Sequence, residues 1–394
     1  MPGTRPIYLD HHATTPVDPR VVEQMLPYFT EHFGNAASRQ HAFGWKADDA
    51  VEQARHQVAR LVGARGKEIV FTSGATEANT LAIRGALAAR RGQGAHVVTV
   101  ATEHKAVLDT CQAVAAEGGR LTVVPVERDG RVDPARVAAA LAADTVLVSV
   151  MTANNEIGVI HPVAEISAMC RARGVWLHTD AVQAAGHVPV DVEALGVDLA
   201  SFSAHKMYGP KGVGALYVRR VPKVALVPQT VGGGQEQGLR AGTLNVPGIV
   251  GFGAAAALAR EIVASEGPRV AALRDQLLAG LTQALAAVTV NGSMSARLPH
   301  NLHVSFAGVD GEALMTSLAD DVAVSSGSAC ASGSREPSHV MTALGAGAAE
   351  RWGALRFGLG RGTTAADIDA AVEHVTAAVT HLRAMSPVAV GGGQ

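Results

Sequence analysis

Cysteine is scarce: the 394 residues hold three, Cys111, Cys170 and Cys330, far apart and with no Cys-x-x-Cys pair. That spacing suits neither a disulfide framework nor a zinc site. It points to a reducing compartment, the cytoplasm by default, where a working cysteine acts as a thiol. An excess of charge is also missing. With 33 Lys+Arg against 35 Asp+Glu and a formal net charge of −2, the chain has no electrostatic footprint for nucleic acid or an anionic membrane. Aromatic residues make up only 4% and apolar residues 48%, so the core is one of Ala, Val and Leu, and the chain is not disordered. The longest apolar stretch, Gly248–Ala259, stops at Arg260 and is too short to span a bilayer. The start, Met1 to Pro6, has no apolar h-region, so no secretory signal is expected.

What is present is organised around residues 175–217. Two short apolar runs, Val175–Leu177 and Leu199–Phe202, end in His178-Thr179-Asp180-Ala181-Val182-Gln183 and Ser203-Ala204-His205-Lys206. Such runs read as buried parallel strands, and open α/β sheets bind ligands beyond the carboxyl ends of their strands. An acid and an amine 26 positions apart, Asp180 and Lys206, then converge on one crevice. An amine suited to Schiff-base chemistry, with a carboxylate to keep a pyridine nitrogen protonated, is what pyridoxal phosphate requires.

From Glu68 to Tyr217 strand and helix patterns alternate, with polar clusters after successive strands. This predicts an α/β fold with a mainly parallel, doubly covered sheet. Before it, the patterns predict a helix from Asp18 through Phe33 and another from Trp45 to Val62. After it, a helical tract, Val246–Leu285, broken at Gly267-Pro268, leads to a smaller α+β domain. That domain has strands at Leu302–Phe306, Val322–Ser325 and Ala354–Leu359 and helices at Gly311–Leu318 and Ala366–Arg383. The division expected is 14–260 for the large domain and 261–394 for the small one, with residues 1–13 as an arm joining the latter.

Several segments carry chemistry less decisively. Ser73-Gly74-Ala75-Thr76 turns from a strand into a helix, and an anion site and an ordinary N-cap stand about even there. His104 follows a strand, where an imidazole can stack on a planar cofactor. His11-His12 reads as a hydrogen-bonded turn near the site rather than a metal pair, because adjacent residues on an extended chain face opposite ways and no third ligand is in view. No metal site is expected. Cys111 and Cys170 fall within helical patterns and read as small buried hydrophobes. Cys330 differs: it lies in Ser325-Ser326-Gly327-Ser328-Ala329-Cys330-Ala331-Ser332-Gly333-Ser334, where nothing beside it can bury. A thiol on such an arm suits a sulfur that must visit two places. The glycine-rich Gly232–Thr243 segment lacks nucleotide-fingerprint spacing.

With these residues in hand, the sequence resembles the NifS/IscS-type cysteine desulfurases, fold-type I pyridoxal-phosphate enzymes of aminotransferase class V. The motifs are YLDHHATTP, SGATEAN, TEHKAVL, NNEIG, HTDAVQ, SFSAHKMYGPKG, GGGQEQGLRAGTLN, SSGSACASG and LRFGLGR, in order from about Tyr8 to Met385. The resemblance implies that Lys206 bonds the cofactor covalently and that Asp180 holds its ring nitrogen protonated. Gln183 would meet the phenolic oxygen and His104 would stack on the ring. Thr76, Ser203 and His205 would bind the phosphate, with Ala75 and Asn155 also in the cofactor site. Asn155 and Arg356 would hold the substrate carboxylate, and Cys330 would accept sulfur from L-cysteine as a persulfide, with His104 exchanging the proton. Thr243 matches a residue donated across a homodimer interface. The alternative is a class V aminotransferase or C–S lyase with the same cofactor site and no nucleophilic role for Cys330.

Two departures stand out. His11-His12 occupies a place where many relatives have Asn-Ala, read as a tolerated variant. The chain also ends soon after Met385, without the longer segment by which housekeeping desulfurases dock their scaffold. The sulfur acceptor is therefore open between an iron–sulfur scaffold bound differently, a thiolation protein and a cofactor pathway.

Overall fold

The computed structural model describes residues 6–326 and 338–385. Its strands are β1 (Ile7–Tyr8), β2 (Ile69–Thr72), β3 (His96–Val100), β4 (Arg120–Val124), β5 (Thr145–Ser149), β6 (Trp176–Asp180), β7 (Leu199–Ser203), β8 (Gly214–Val218), β9 (Val288–Val290), β10 (Asn301–Phe306), β11 (Val322–Ala323) and β12 (Ala354–Gly358). Seven of them form one sheet in the order β2-β8-β7-β6-β5-β3-β4. Only β8 runs against its neighbours, so the carboxyl ends of the other six share one edge.

Side chains alternate across a strand, and here both faces are apolar. Val70, Val97, Leu147, Leu199 and Leu216 pack on helices Ala75–Ala89 and Lys105–Ala116. Their neighbours Phe71, Val98, Val148, Ala200 and Ala215 pack on Ala42–Leu61, Val163–Ala172 and the first half of Val246–Ala284. The expected double cover is present, and Cys111 and Cys170 are buried in it as small apolar groups.

A second core surrounds the antiparallel sheet β12-β10-β9, between the second half of Val246–Ala284 and helix Ala365–Met385. The two-residue strand β1 pairs in parallel with β11, tying the N-terminal arm to this region.

Three expectations are corrected. The helix through Phe33 is two helices, Pro19–Met25 and Pro27–Thr30, because Pro27 has no N–H to continue the first. Conversely, Val246–Ala284 runs unbroken through Pro268. The preceding residue, Gly267, has no Cβ for the proline ring to strike, which removes half of the usual conflict. The boundary placed after residue 260 thus falls inside a continuous helix. Finally, the strand expected at Val322–Ser325 pairs over only two residues, since Ser325 bridges to Arg356 instead. Strand β9 and the helices His339–Ala343 and Ala348–Trp352 carry too few residues for a periodic signal.

Candidate active site

The shared carboxyl edge gathers the candidate residues. Asp180 ends β6 and is buried. Its carboxylate accepts hydrogen bonds from Asn79 Nδ2 at 2.8 Å and the Val182 amide at 3.0 Å. Nearby, Glu103 is fully buried; burial first, and the charge of Asp180 second, push its carboxyl well above the usual range.

Lys206 closes a single helical turn, Ala204–Lys206, after β7. Its Nζ donates to the carbonyls of His12 and, at 2.7 Å, Ala13, so the N-terminal arm crosses the mouth of the site. The Lys206 carbonyl accepts from His187 Nε2 at 2.7 Å. Gln183 is clamped by one residue: its Oε1 lies 2.9 Å from His12 Nδ1, and its Nε2 donates to the His12 carbonyl at 3.1 Å. The histidine pair therefore is a hydrogen-bonded turn at the site, as read from its sequence. His205, 3.2 Å from Thr14 Oγ1, is lowered to about 4 by burial and by Lys206 and Lys211, and is a neutral donor or acceptor at neutral pH. Ser203 is buried beside it at the end of β7.

At the Gly74 turn the two readings separate. Helix Ala75–Ala89 begins without a side-chain cap, because its N-cap is Gly74, which has no side chain; the Ser73 amide before it donates to Glu77 at 2.6 Å. Its first amides, including those of Ala75 and Thr76, thus keep their hydrogen-bonding capacity, and space above Gly74 is open. A Cβ on Gly214 would lie 2.7 Å from Gly74 Cα, so glycine there is what lets β8 pass the turn. The glycine-rich loop is firmly placed next to it: Arg240 pairs with Glu77 at 2.8 Å. Glu236 is buried against Arg55 at 2.7 Å and accepts the Phe71 amide at 2.6 Å.

His104 caps helix Lys105–Ala116, its Nδ1 accepting the Ala106 amide at 3.1 Å. A neutral ring then carries its proton on Nε2. It follows β3, and Asn155 follows β5; the chain turns in opposite directions from these adjacent strands, which makes the gap between them the switch point of the sheet.

Arg356, from the middle of β12, forms the opposite wall. Its Nη1 donates to the Asn155 carbonyl and its Nη2 to Asp10, each at 2.9 Å, while its buried Nε has no partner among the described residues. The two residues expected to hold a substrate carboxylate are thus joined. Asp10 also accepts from Ser325 Oγ at 3.1 Å. Thr243 is exposed and outside this bonded set. Cys330 lies outside the described residues.

Asn79, Asp10, Glu103, Glu156 and His187 were not singled out from the sequence, although four of them sit in its motifs. A hydrogen bond between segments a hundred residues apart leaves no mark on local pattern.

The residues fit pyridoxal phosphate. An amine, a buried carboxylate positioned by Asn79, and an uncapped helix start with open space above its glycine match the aldehyde, ring nitrogen and phosphate. Among the described residues, no group of three His, Cys, Asp or Glu side chains could hold a metal.

Comparisons with known proteins agree. The aminotransferase class V family model matches residues 7–371. The chain is 60% identical over 383 residues to the cysteine desulfurase IscS of Anaeromyxobacter sp. strain Fw109-5, covering 97% of this chain and 95% of that one. Among solved structures it resembles a NifS-like protein, with a TM-score of 0.89, 35% identity and coverage of 96% and 100% of the two chains. It also resembles SspA in complex with cysteine, with a TM-score of 0.79, 34% identity and coverage of 90% and 99%. This chain belongs to the aminotransferase class V family and, within it, to the IscS/NifS-type cysteine desulfurases.

Proposed function

We propose that the chain is a pyridoxal-phosphate-dependent cysteine desulfurase, converting L-cysteine to L-alanine and passing the sulfur through an enzyme persulfide to an acceptor protein. One observation carries this reading. Lys206, Asp180, Gln183 and the uncapped Gly74 turn meet on one sheet edge, facing a buried arginine, in a chain 60% identical to an IscS.

When bound, pyridoxal phosphate supplies an electron sink that weakens bonds at the substrate α-carbon. In this reading Lys206 would hold the group covalently, and its amine would take the substrate Cα proton. Asp180 would hold the ring nitrogen protonated. Gln183 would meet the phenolic oxygen, and His104 would stack on the ring. Ala75, Thr76, Ser203 and His205 would receive the phosphate with the first helix amides. Arg356 and Asn155 would fix the substrate carboxylate. Cys330, as thiolate, attacks the substrate sulfur. The S–S bond forms as the C–S bond breaks, the electron pair stays with carbon, and protonation there completes alanine. His104 Nε2 exchanges the thiol proton.

The finer partners belong to the same proposal. Leu26, Phe29, Phe33, Phe43 and Trp45 are all more than half exposed, with the rings of Phe33 and Phe43 5.3 Å apart. So much aromatic surface suits a homodimer, in which Thr243 serves the phosphate of the second subunit. An iron–sulfur scaffold or thiolation protein takes the sulfur, and the unpaired Cys111 and Cys170 suit a cytoplasmic setting. Helix Val246–Ala284, whose two halves enter different cores, supports the division near residue 260.

Incubation with L-cysteine and a reductant should yield alanine and sulfide in equal amounts, and Cys330→Ser should abolish sulfide while the protein stays yellow. Full activity in Cys330→Ser would favour the aminotransferase or lyase reading instead.

A further inference from the structure

Arg356, the cation of the opposite wall, is matched by an anion before any ligand arrives. Its Nη2 pairs with Asp10 Oδ1 at 2.9 Å, in a place where the arginine side chain is 4% exposed and the aspartate 18%. Each Nη bears two hydrogens. One on Nη1 goes to the Asn155 carbonyl and one on Nη2 to Asp10, which leaves one on each for a ligand. Glu156 also feels the charge of Arg356, but its carboxyl accepts from Ser338 Oγ instead. Among the described residues, Asp10 is thus the carboxylate paired with Arg356.

Asp10 is not free to leave when a ligand comes. Its neighbours are bonded to the strand that carries Arg356: the His11 amide donates to the Gly358 carbonyl at 3.0 Å, and the Gly358 amide to the Leu9 carbonyl at 2.6 Å. The arm passes so close that a Cβ on Gly358 would lie 2.8 Å from the His12 nitrogen. The Asp10 carbonyl accepts the Ala13 amide at 2.9 Å. The Arg356 amide donates to the Ser325 carbonyl at 2.7 Å, and Ser325 Oγ donates to the same Asp10 Oδ1 at 3.1 Å. Backbone and carboxylate are both held, so a carboxylate arriving at Arg356 shares the guanidinium with Asp10 rather than replacing it.

The charges then set the affinity. A buried guanidinium left without an anion is strongly unfavourable, and such a site would grip any carboxylate. L-Cysteine and L-alanine carry the same carboxylate, and gripping it equally throughout the reaction lowers KM without raising kcat. With Asp10 in place, two anions face one cation, and the second is held more weakly. We propose that Asp10 is a fixed counter-ion that weakens the hold of Arg356 on carboxylates, so that the alanine carboxylate is released instead of blocking the site. The inference rests on Arg356 receiving the substrate carboxylate, as proposed above, and Asp10 acts through it.

Propionate, which has the carboxylate of alanine without its amine, is the probe, and propionamide is its uncharged control. Their dissociation constants from the holoenzyme, without L-cysteine, are read by NMR titration of the ligand. Asp10→Asn keeps an oxygen for Arg356 and Ser325 but removes the charge. The constant for propionate should fall about 10-fold or more, the effect of one nearby like charge, while that for propionamide stays unchanged. A role confined to positioning Arg356 would weaken propionate binding; weaker or unchanged binding, or a gain shared equally by propionamide, overturns the proposal. If Asp10→Asn does not fold, a crystal structure of the wild-type holoenzyme with propionate decides. Propionate on Arg356 with Asp10 still paired supports the sharing, and Asp10 turned away from Arg356 overturns it. Failure of the underlying reading shows separately, as propionate binding to Arg356→Gln as tightly as to the wild type.

Discussion

Asp180, Gln183 and Lys206 each stand at or just past the end of a parallel strand, whereas Arg356 projects from within an antiparallel one. The first wall is built by repetition: one sheet edge receives the end of every parallel strand, and each loop delivers a polar group. The second wall is built by long-range contact. Arg356 is held by the carbonyl of Asn155 from the large sheet and by Asp10 from the arm. In the proposed function, the large-sheet wall supplies the chemistry of the cofactor, and the small-sheet wall supplies a fixed cation for the substrate.

Removing a group from the first wall should have the largest consequence. Lys206→Ala should lower alanine formation roughly 10⁴-fold, the upper range for a positioned proton-transfer group, and leave no covalently bound cofactor in the absorption spectrum. Next comes the support of that wall. Arg55→Ala would strand the buried Glu236 carboxylate, costing about 3–5 kcal/mol in denaturant unfolding, since a buried charge would be left without its partner. At the second wall, Arg356→Lys keeps the charge but loses the planar fork. We expect KM for L-cysteine to rise about 10- to 100-fold with a smaller change in kcat. Equal loss of kcat and no change in KM would erase the division of labour between the walls.

The smallest effect concerns the contact joining the walls to the segment that follows Cys330. Glu156 accepts Ser338 Oγ at 2.5 Å, and burial pushes its carboxyl up to about 7, against the lowering effects of Ser338, Arg356 and His104. Because the folded state binds this proton more tightly than the unfolded one, Glu156 lowers stability progressively as pH rises from the ordinary carboxylate range toward about 7. Glu156→Gln should flatten the fall of unfolding free energy over that window; an unaltered slope would show that this carboxyl is already ionised below it.

The same contrast explains what was legible in the sequence. Strand ends followed by Asp180, Gln183, Lys206 and His104 were visible, because apolar runs and polar turns are local. The alternation from Glu68 to Tyr217 led directly to the sheet. Its reversed strand β8 was not visible, since direction depends on pairing rather than composition. Nor were Asn79 beneath Asp180 or Asp10 beside Arg356, whose roles arise only when distant segments meet. The proline signal misled once: at Pro268 the missing N–H was recognised, but the relief provided by Gly267 was not. The His11-His12 departure, read as tolerated variation, proves to clamp Gln183.

The central claim is that one thiol receives the sulfur. Burial pushes Cys111 and Cys170 up to about 12, so both remain protonated and serve as internal controls. Peptide mass spectrometry after a single turnover with L-cysteine, without reductant, should find one added sulfur atom on Cys330 and none on the other two, matched by one alanine per site. Alanine formed with Cys330 unmodified, or sulfur distributed over all three cysteines, would contradict the account.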